Sequence, residues 1–398
     1  MPDLETTVNR HVTRLAAEIG ARPSGSPANH AAAEYVADVF AAAGLSVERQ
    51  EYACPQWEDL GTRLDLDGAG LPAAANAFSP ECDVTALAVA ACTVAELEAA
   101  GLTGRIGILY GDLTREPLSC KSWFLKSERD DHVIRLLEEK QPAALITVQA
   151  AGELNRLIED WELAIPSASV PARAGLALLQ NPGRPVHLQI RSRTAPGHAA
   201  NIVARRAGTG PARVVLCAHY DTKIDTPGAC DNGAGVAVLL ALAGELAGRP
   251  LTHALEFVAF DSEEYLPIGD DEYVRRGGET FGHIVACVNF DGIGLRLGAS
   301  SIMIAAHSDP FQAGVAELAR RYPGVTWVDP WPQSNHSTFT WRGVPAIAFS
   351  SSGGNPAAHL RTDTVEWLSA EKMAEVARLA ADIVEYLQDK TPEWTRAA

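Results

Sequence analysis

The chain has 398 residues, more than one ordinary domain holds, so two domains are expected. Its apolar fraction of 47% with 21% charged residues suits a packed core and excludes a disordered chain. A formal net charge of −17 disfavours nucleic acid and anionic membranes as partners, since both are negative themselves.

Seven cysteines, an odd number with no Cys-x-x-Cys pair, point to reduced thiols and a cytoplasmic protein. The first residues, Met-Pro-Asp-Leu-Glu, lack the basic start and apolar core of a signal peptide. The longest apolar run, around residues 236–243, falls short of a membrane span.

In chain order, Leu4, Val8, Val12, Leu15 and Ile19 recur at helical spacing. The Pro/Gly/Ser loop from Arg22 to Pro27 interrupts them and reads as scaffold. A second helix is expected over about 31–43, burying Tyr35, Val36, Val39 and Phe40 and stopping at Gly44. Residues 46–52 then alternate like a strand.

Residues 53 to about 195 differ in kind. Short β-like runs at 86–91, 106–110, 143–148 and 186–190 surround one helical segment near 133–140, with no His/Asp/Glu cluster of metal spacing. Beyond His198, residues 201–204 and 214–218 read as strands, 313–320 and 370–387 as helices, and 327–340 as a loop with Trp331, Ser334, Asn335 and His336.

The organising stretch is VVLCAHYDTKIDTPGACDNGAG, residues 214–235. Its apolar start reads as a strand buried on both faces of a parallel sheet, and it ends in His219, Tyr220 and Asp221. A loop leads to Asp231 and Asn232, which open an apolar helix over 236–246. The pattern recurs: 255–260 ends in Asp261-Ser262-Glu263-Glu264, 284–288 in Asn289-Phe290-Asp291, and 345–349 in a Ser/Gly loop reaching His359. Ligands of open α/β sheets bind beyond the carboxyl ends of the strands. One carboxylate there is ordinary solvation; four strands delivering His, Asp or Glu to one edge supply ligands for two cations such as Zn²⁺.

His219-x-Asp221, Asp231-Asn232, Glu263-Glu264, Asp291 and His359 resemble the signature of the M28 family of di-zinc exopeptidases. EEYLPIGDDEY (263–273) and HLRTDT (359–364) resemble further motifs of that family, and the shared order covers residues 196–388. The related M20 peptidases insert their extra domain after the first ligands; here it comes before His219. The resemblance implies an α/β fold with a mostly parallel central sheet flanked by helices, formed by residues 1–52 and 196–398. The segment 53–195, with LTGRIGILYGD, RLLEEKQPAALITV and IPSASVPARAGLALL, resembles an inserted β-rich protease-associated (PA-like) domain.

The resemblance also assigns roles. Asp231 would bridge two Zn²⁺ ions, with His219 and Asp291 completing one site and Glu264 and His359 the other. Asp221 would hold the tautomer and angle of His219. Glu263 would act as general base on a metal-bridging water and pass the proton to the leaving amine. Neighbouring glutamates on an extended backbone point apart, which suits such divided roles. A cis peptide is implied between Asp231 and Asn232. Cys230 is expected to be a buried spectator, and Lys223 a solvated loop residue.

Two departures from the family are Ala358, where many relatives have tyrosine, and Leu266 in place of a usual glycine. His336 is then the first choice as donor to the substrate oxyanion. The implied activity is an aminopeptidase acting on small peptides or amino-acid amides. Alternatives are a carboxypeptidase of the same family and a glutaminyl cyclase-like acyltransferase, which works with one zinc. A carboxypeptidase needs an arginine clamp, for which Arg342 and Arg361 are the candidates near the motifs. Asp261, Asp270, Asp271 and Glu272 instead offer favourable potential to a substrate ammonium, favouring the amino-terminal reading.

Overall fold

The computed structural model describes residues 3–397 other than Phe124 and Leu266, so the Leu266 departure lies outside the described residues. The chain forms two compact units, one from the residues up to Cys54 together with those from His198 onward, the other Pro55–Gly197. The sequence pattern places these boundaries at 52/53 and 195/196.

The first unit is built on a sheet whose strands run in the order Val325–Trp327, Ala299–Ala305, Ala346–Ser352, Ile284–Phe290, Arg213–His219, Ala254–Phe260 and the second part of Pro185–Arg206. The four central strands, 346–352 to 254–260, are mutually parallel. Strands 299–305 and 185–206 pair antiparallel with them on either side. Alternation explains why the apolar runs are continuous. Val214, Leu216 and Ala218 pack into one core cluster, while Val215 and Cys217 pack into another on the opposite face. Glu256, the charge inside its strand, is buried but held by Tyr273 Oη at 2.6 Å and Arg205 Nε at 2.5 Å.

Helices Leu4–Val12, Pro27–Ala42, Ala234–Leu246, Asp309–Ala319 and Ala370–Tyr386 contribute to the first cluster. Residues 13–19 continue the first helix as a wider turn. The stretch Ala229–Leu246 is long and apolar enough to cross a membrane, contrary to the sequence estimate of shorter runs, yet 83% of it is buried inside the protein. Its helical part, Ala234–Leu246, is apolar on nearly every side because nearly all of it is buried.

In the second unit strand outweighs helix. Cys82–Ala91, Ile106–Leu109, Ala144–Gln149 and Ser167–Pro171 form a parallel run, joined by helices Val94–Ala99 and Glu128–Lys140 and followed by Ala172–Leu179. Parallel neighbours need crossovers long enough for a helix, so repeated parallel pairing brought helices with it. The 172–179 segment, ARAGLALL, is short and apolar, a pattern that does not distinguish strand from helix.

Candidate metal centre

The register of the parallel strands aligns their carboxyl ends: Phe260 lies opposite His219, and Phe290 opposite Phe349. The residues just beyond these positions therefore emerge on one edge. Asp231 arrives from the turn ahead of helix Ala234–Leu246, across an Asp231–Asn232 peptide bond that is cis. Gly228 sits at φ +59°, where a Cβ would run into Thr222 and the Asp231 carbonyl. Asn232 itself is tied down, donating to the Phe290 carbonyl at 2.8 Å and accepting from Gly235 N at 3.0 Å.

The five proposed ligands converge. His219 Nε2 lies 3.2 Å from Asp231 Oδ1 and 3.4 Å from Asp291 Oδ1. His359 Nε2 lies 3.1 Å from Asp231 Oδ2 and 3.3 Å from Glu264 Oε2. Each oxygen of Asp231 thus faces a different histidine, and each histidine faces a second carboxylate. Glu263 Oε2 stands further off, 4.0 Å from His219 Nε2. On the far side of that ring, Asp221 Oδ1 is 3.4 Å from Nδ1. The same Asp221 carboxylate accepts from Glu263 N and Glu264 N at 3.2 and 3.1 Å.

The two glutamates are therefore not on an extended backbone, as the sequence argument assumed. They occupy a turn that follows Ser262 at φ +67°, and Asp221 fixes both amides. Glu263 faces His219 and Glu264 faces His359.

The electrostatics are those of a crowded anionic cluster. Burial pushes the Glu263 carboxyl well above its usual range, with Asp291, Glu264 and Asp231 adding and His219 opposing. Burial, then Asp231, raises Glu264 to about 8. Burial works against charge on His219, but Asp291, Glu263, Asp221 and Asp231 together hold the imidazolium well above its ordinary value. Both ring nitrogens of His219 and Oε1 of Glu264 are buried without a hydrogen-bond partner. Ligand atoms of His219, Asp231 and Glu264 all lie within 4.8 Å of one another. Mixed imidazole and carboxylate donors with an excess of negative charge, several of their buried atoms without a hydrogen-bond partner, fit divalent cations.

Other sequence candidates fall differently. His336 is buried, its Nε2 2.7 Å from the Trp331 carbonyl and its Nδ1 3.5 Å from Asn289 Nδ2. A neutral ring with the proton on Nε2 satisfies both partners, and burial lowers its pKa accordingly. Presenting that N–H to a substrate oxygen requires releasing Trp331. Cys230 is buried with Sγ 3.7 Å from the Ile293 carbonyl.

Lys223, expected to be solvated, donates to the Glu264 carbonyl at 2.8 Å and stands 4.4 Å from the centroid of the Tyr265 ring. Of the acids expected to attract an ammonium, Asp261 is fully buried. It accepts from Asn29 at 2.6 Å, Tyr52 at 2.8 Å and Ser24 at 3.3 Å, and burial raises its carboxyl to about 7. Asp270 binds Asn335 at 2.9 Å and also Thr338. Glu272 pairs with Arg275 and Arg276. Only Asp271 is exposed without such a tie.

Two supporting residues escaped the sequence reading. Asp363 accepts from Cys230 N and Asp231 N, both at 3.0 Å, and so seats the turn carrying Asp231. Its position inside HLRTDT was a usable signal. Arg22 is fully buried and donates to carbonyls around the same turn. A lone arginine in a Pro/Gly/Ser loop carries no such signal.

The mixed α/β sheet carries this cluster of candidate metal ligands beyond the carboxyl ends of its strands, an arrangement suited to a metallopeptidase. Residues 201–384 match the model of Peptidase family M28. The fold is that of solved aminopeptidases: BSAP, a zinc aminopeptidase from Bacillus subtilis, superposes with a TM-score of 0.80 at 20% identity, covering 97% of this chain and 95% of that one. The aminopeptidase from Aneurinibacillus sp. strain AM-1 gives 0.76 at 20% identity, covering 99% and 94%. In sequence, the probable lipoprotein aminopeptidase LpqL of Mycobacterium tuberculosis is 26% identical over 64% of this chain, and aminopeptidase YwaD of Bacillus subtilis 24% over 56%. The matches span 51% of the length of each of these two relatives.

Proposed function

We propose that this chain is a two-zinc aminopeptidase that removes N-terminal residues from small peptides or amino-acid amides. The observation that carries the reading is Asp231, whose two oxygens face His219 and His359 at 3.2 and 3.1 Å. A carboxylate so placed could serve two cations, as in other two-metal hydrolases. His219 and Asp291 would hold one ion, Glu264 and His359 the other, with Asp221 fixing the His219 ring from behind. When bound, the ions would polarise the scissile carbonyl and make a water molecule more acidic.

Glu263 takes the proton as the water oxygen bonds to the carbonyl carbon. It then delivers that proton to the amide nitrogen as the C–N bond breaks, leaving a carboxylic acid and an amine. Its larger distance from His219 than those of Asp231 and Asp291 supports a base rather than a ligand.

The amino-terminal preference rests on the relatives named aminopeptidases and on the two arginines. Arg342 donates to the Thr338 carbonyl at 2.7 Å and lies over Phe281, and Arg361 pairs with Asp225 at 2.7 Å, so both clamp candidates are engaged elsewhere. The acidic potential argued from sequence supports it less, because Asp261, Asp270 and Glu272 have partners of their own. For residues 53–195 we keep the PA-like reading as a proposal, supported by the sequence pattern. A reducing, intracellular setting is supported by the cysteines, all free.

The test is zinc analysis with a paired assay. Two ions per chain, hydrolysis of a free dipeptide amide and none of its N-acetyl analogue are expected. One ion would favour the cyclase-like reading. Cleavage of the acetylated peptide with loss on amidation would favour the carboxypeptidase.

A further inference from the structure

Arg22 heads the large side chains that are fully buried. A guanidinium taken out of water costs several kcal/mol, on the order of the penalty for any buried ion, unless its donors are met. Here its partners are main-chain carbonyls. Nε donates to Tyr220 O at 2.5 Å, Nη1 to Pro227 O at 2.7 Å, Gly20 O at 3.2 Å and Leu15 O at 3.5 Å, and Nη2 to Gly228 O at 3.0 Å. Its own amide donates to Thr222 Oγ1 at 2.9 Å.

These partners have a pattern. Tyr220 follows His219 directly, and Pro227 and Gly228 precede Cys230 and Asp231. Arg22 therefore grips both limbs of the loop that separates the two ligands, while Asp363 holds the amides at its far end. The Arg22 carbonyl accepts from Asn29, whose Nδ2 also reaches Asp261 just ahead of the glutamate pair. The positive charge sits in the field of Asp221, Asp363, Glu264 and Asp231, which offset the burial that draws its pKa down to about 10.

We propose that Arg22 is a positioning residue of the metal centre: by pinning the 220–228 loop at both limbs it sets the spacing of His219 and Asp231, and its buried charge offsets part of the carboxylate excess. The inference rests on the two-cation reading. Plain core filling by Arg22 is the competing explanation, and the two differ in what they do to metal affinity. Outer groups that orient ligands change affinity by about 10–100-fold when removed.

The experiment is zinc affinity by chelator competition for the wild-type chain, Arg22→Met and Arg22→Lys, beside the thermal midpoint of each zinc-free protein. Arg22→Met should bind zinc about 10–100-fold more weakly. Arg22→Lys keeps the charge but has no planar fork to span the two limbs, so it should recover part of the affinity and not all.

A lower midpoint in Arg22→Met with wild-type zinc affinity would make the residue mere packing and overturn the proposal. If Arg22→Met does not fold, Arg22→Lys decides: native affinity for both ions in that variant overturns the proposal, and weakened affinity supports it. A wild-type chain that binds no zinc would sink the two-cation reading itself, and the role of Arg22 with it.

Discussion

Replacing Glu263 by glutamine leaves the volume and one acceptor oxygen of the side chain in place and removes its capacity to take a proton. The neighbours should tolerate the change, because Glu263 is the outlying carboxylate at 4.0 Å from His219 Nε2, against 3.2 Å for Asp231 and 3.4 Å for Asp291. Asp221 holds the main-chain amide of residue 263 whatever the side chain. Both ions should therefore stay, and the loss should fall on turnover. A general base contributes roughly 10²–10⁴-fold, which is about 3–5 kcal/mol of barrier at ~1.36 kcal/mol per tenfold. Glu263 is asked to serve as base and then as acid, so the upper end is expected. The assay is kcat on a dipeptide amide with excess zinc, alongside metal content per chain. A kcat within tenfold of wild type removes Glu263 from the chemistry. Parallel loss of zinc would make it a ligand and the assignment of roles wrong.

Glu264→Ala is expected to do the reverse, weakening zinc first. It deletes the carboxylate that faces His359 at 3.3 Å, so metal content should fall towards one ion; two tightly held ions would contradict its place in the set. Chelation of the wild-type chain should abolish hydrolysis, and zinc should restore it; full activity after exhaustive chelation would refute metal dependence. His11, buried against the Tyr35 hydroxyl at 2.7 Å, offers a test away from the centre. Burial lowers its pKa from 6.5 to about 4, so between these values the unfolded chain binds the extra proton. Stability is then intact above pH 6.5 and falls as pH drops towards 4, by up to about 3 kcal/mol at ~1.36 kcal/mol per unit. Urea unfolding at pH 5 and 7.5 should show His11→Phe less pH-dependent than wild type; equal slopes would refute the assignment.

Much of the centre was legible in the sequence because strand chemistry is local. An apolar run that stops at a charged residue marks a strand end, and parallel strands put their ends on one edge, so His219, Asp291 and the Glu263-Glu264 pair could be named before their neighbours were known. The spacing of Leu4, Val8 and Val12 gave a helix for the same local reason.

What only the tertiary structure decided depends on partners far along the chain. It placed one oxygen of Asp231 at each histidine, one of them 128 residues later at His359. It turned the backbone at Ser262, so that Glu263 faces His219 and Glu264 faces His359, where the sequence alone implies an extended strand. It buried Asp261 under Asn29 and Tyr52, which no spacing rule brings near it. It enclosed His336 between Trp331 and Asn289, and carried Lys223 to the Glu264 carbonyl. Arg22 is a further case: its main-chain amide bonds to a hydroxyl 200 residues away. Sequence fixes which groups a strand or helix can present; which of them meet, and which are shut away from water, is settled by packing between segments whose separation along the chain carries no periodic signal.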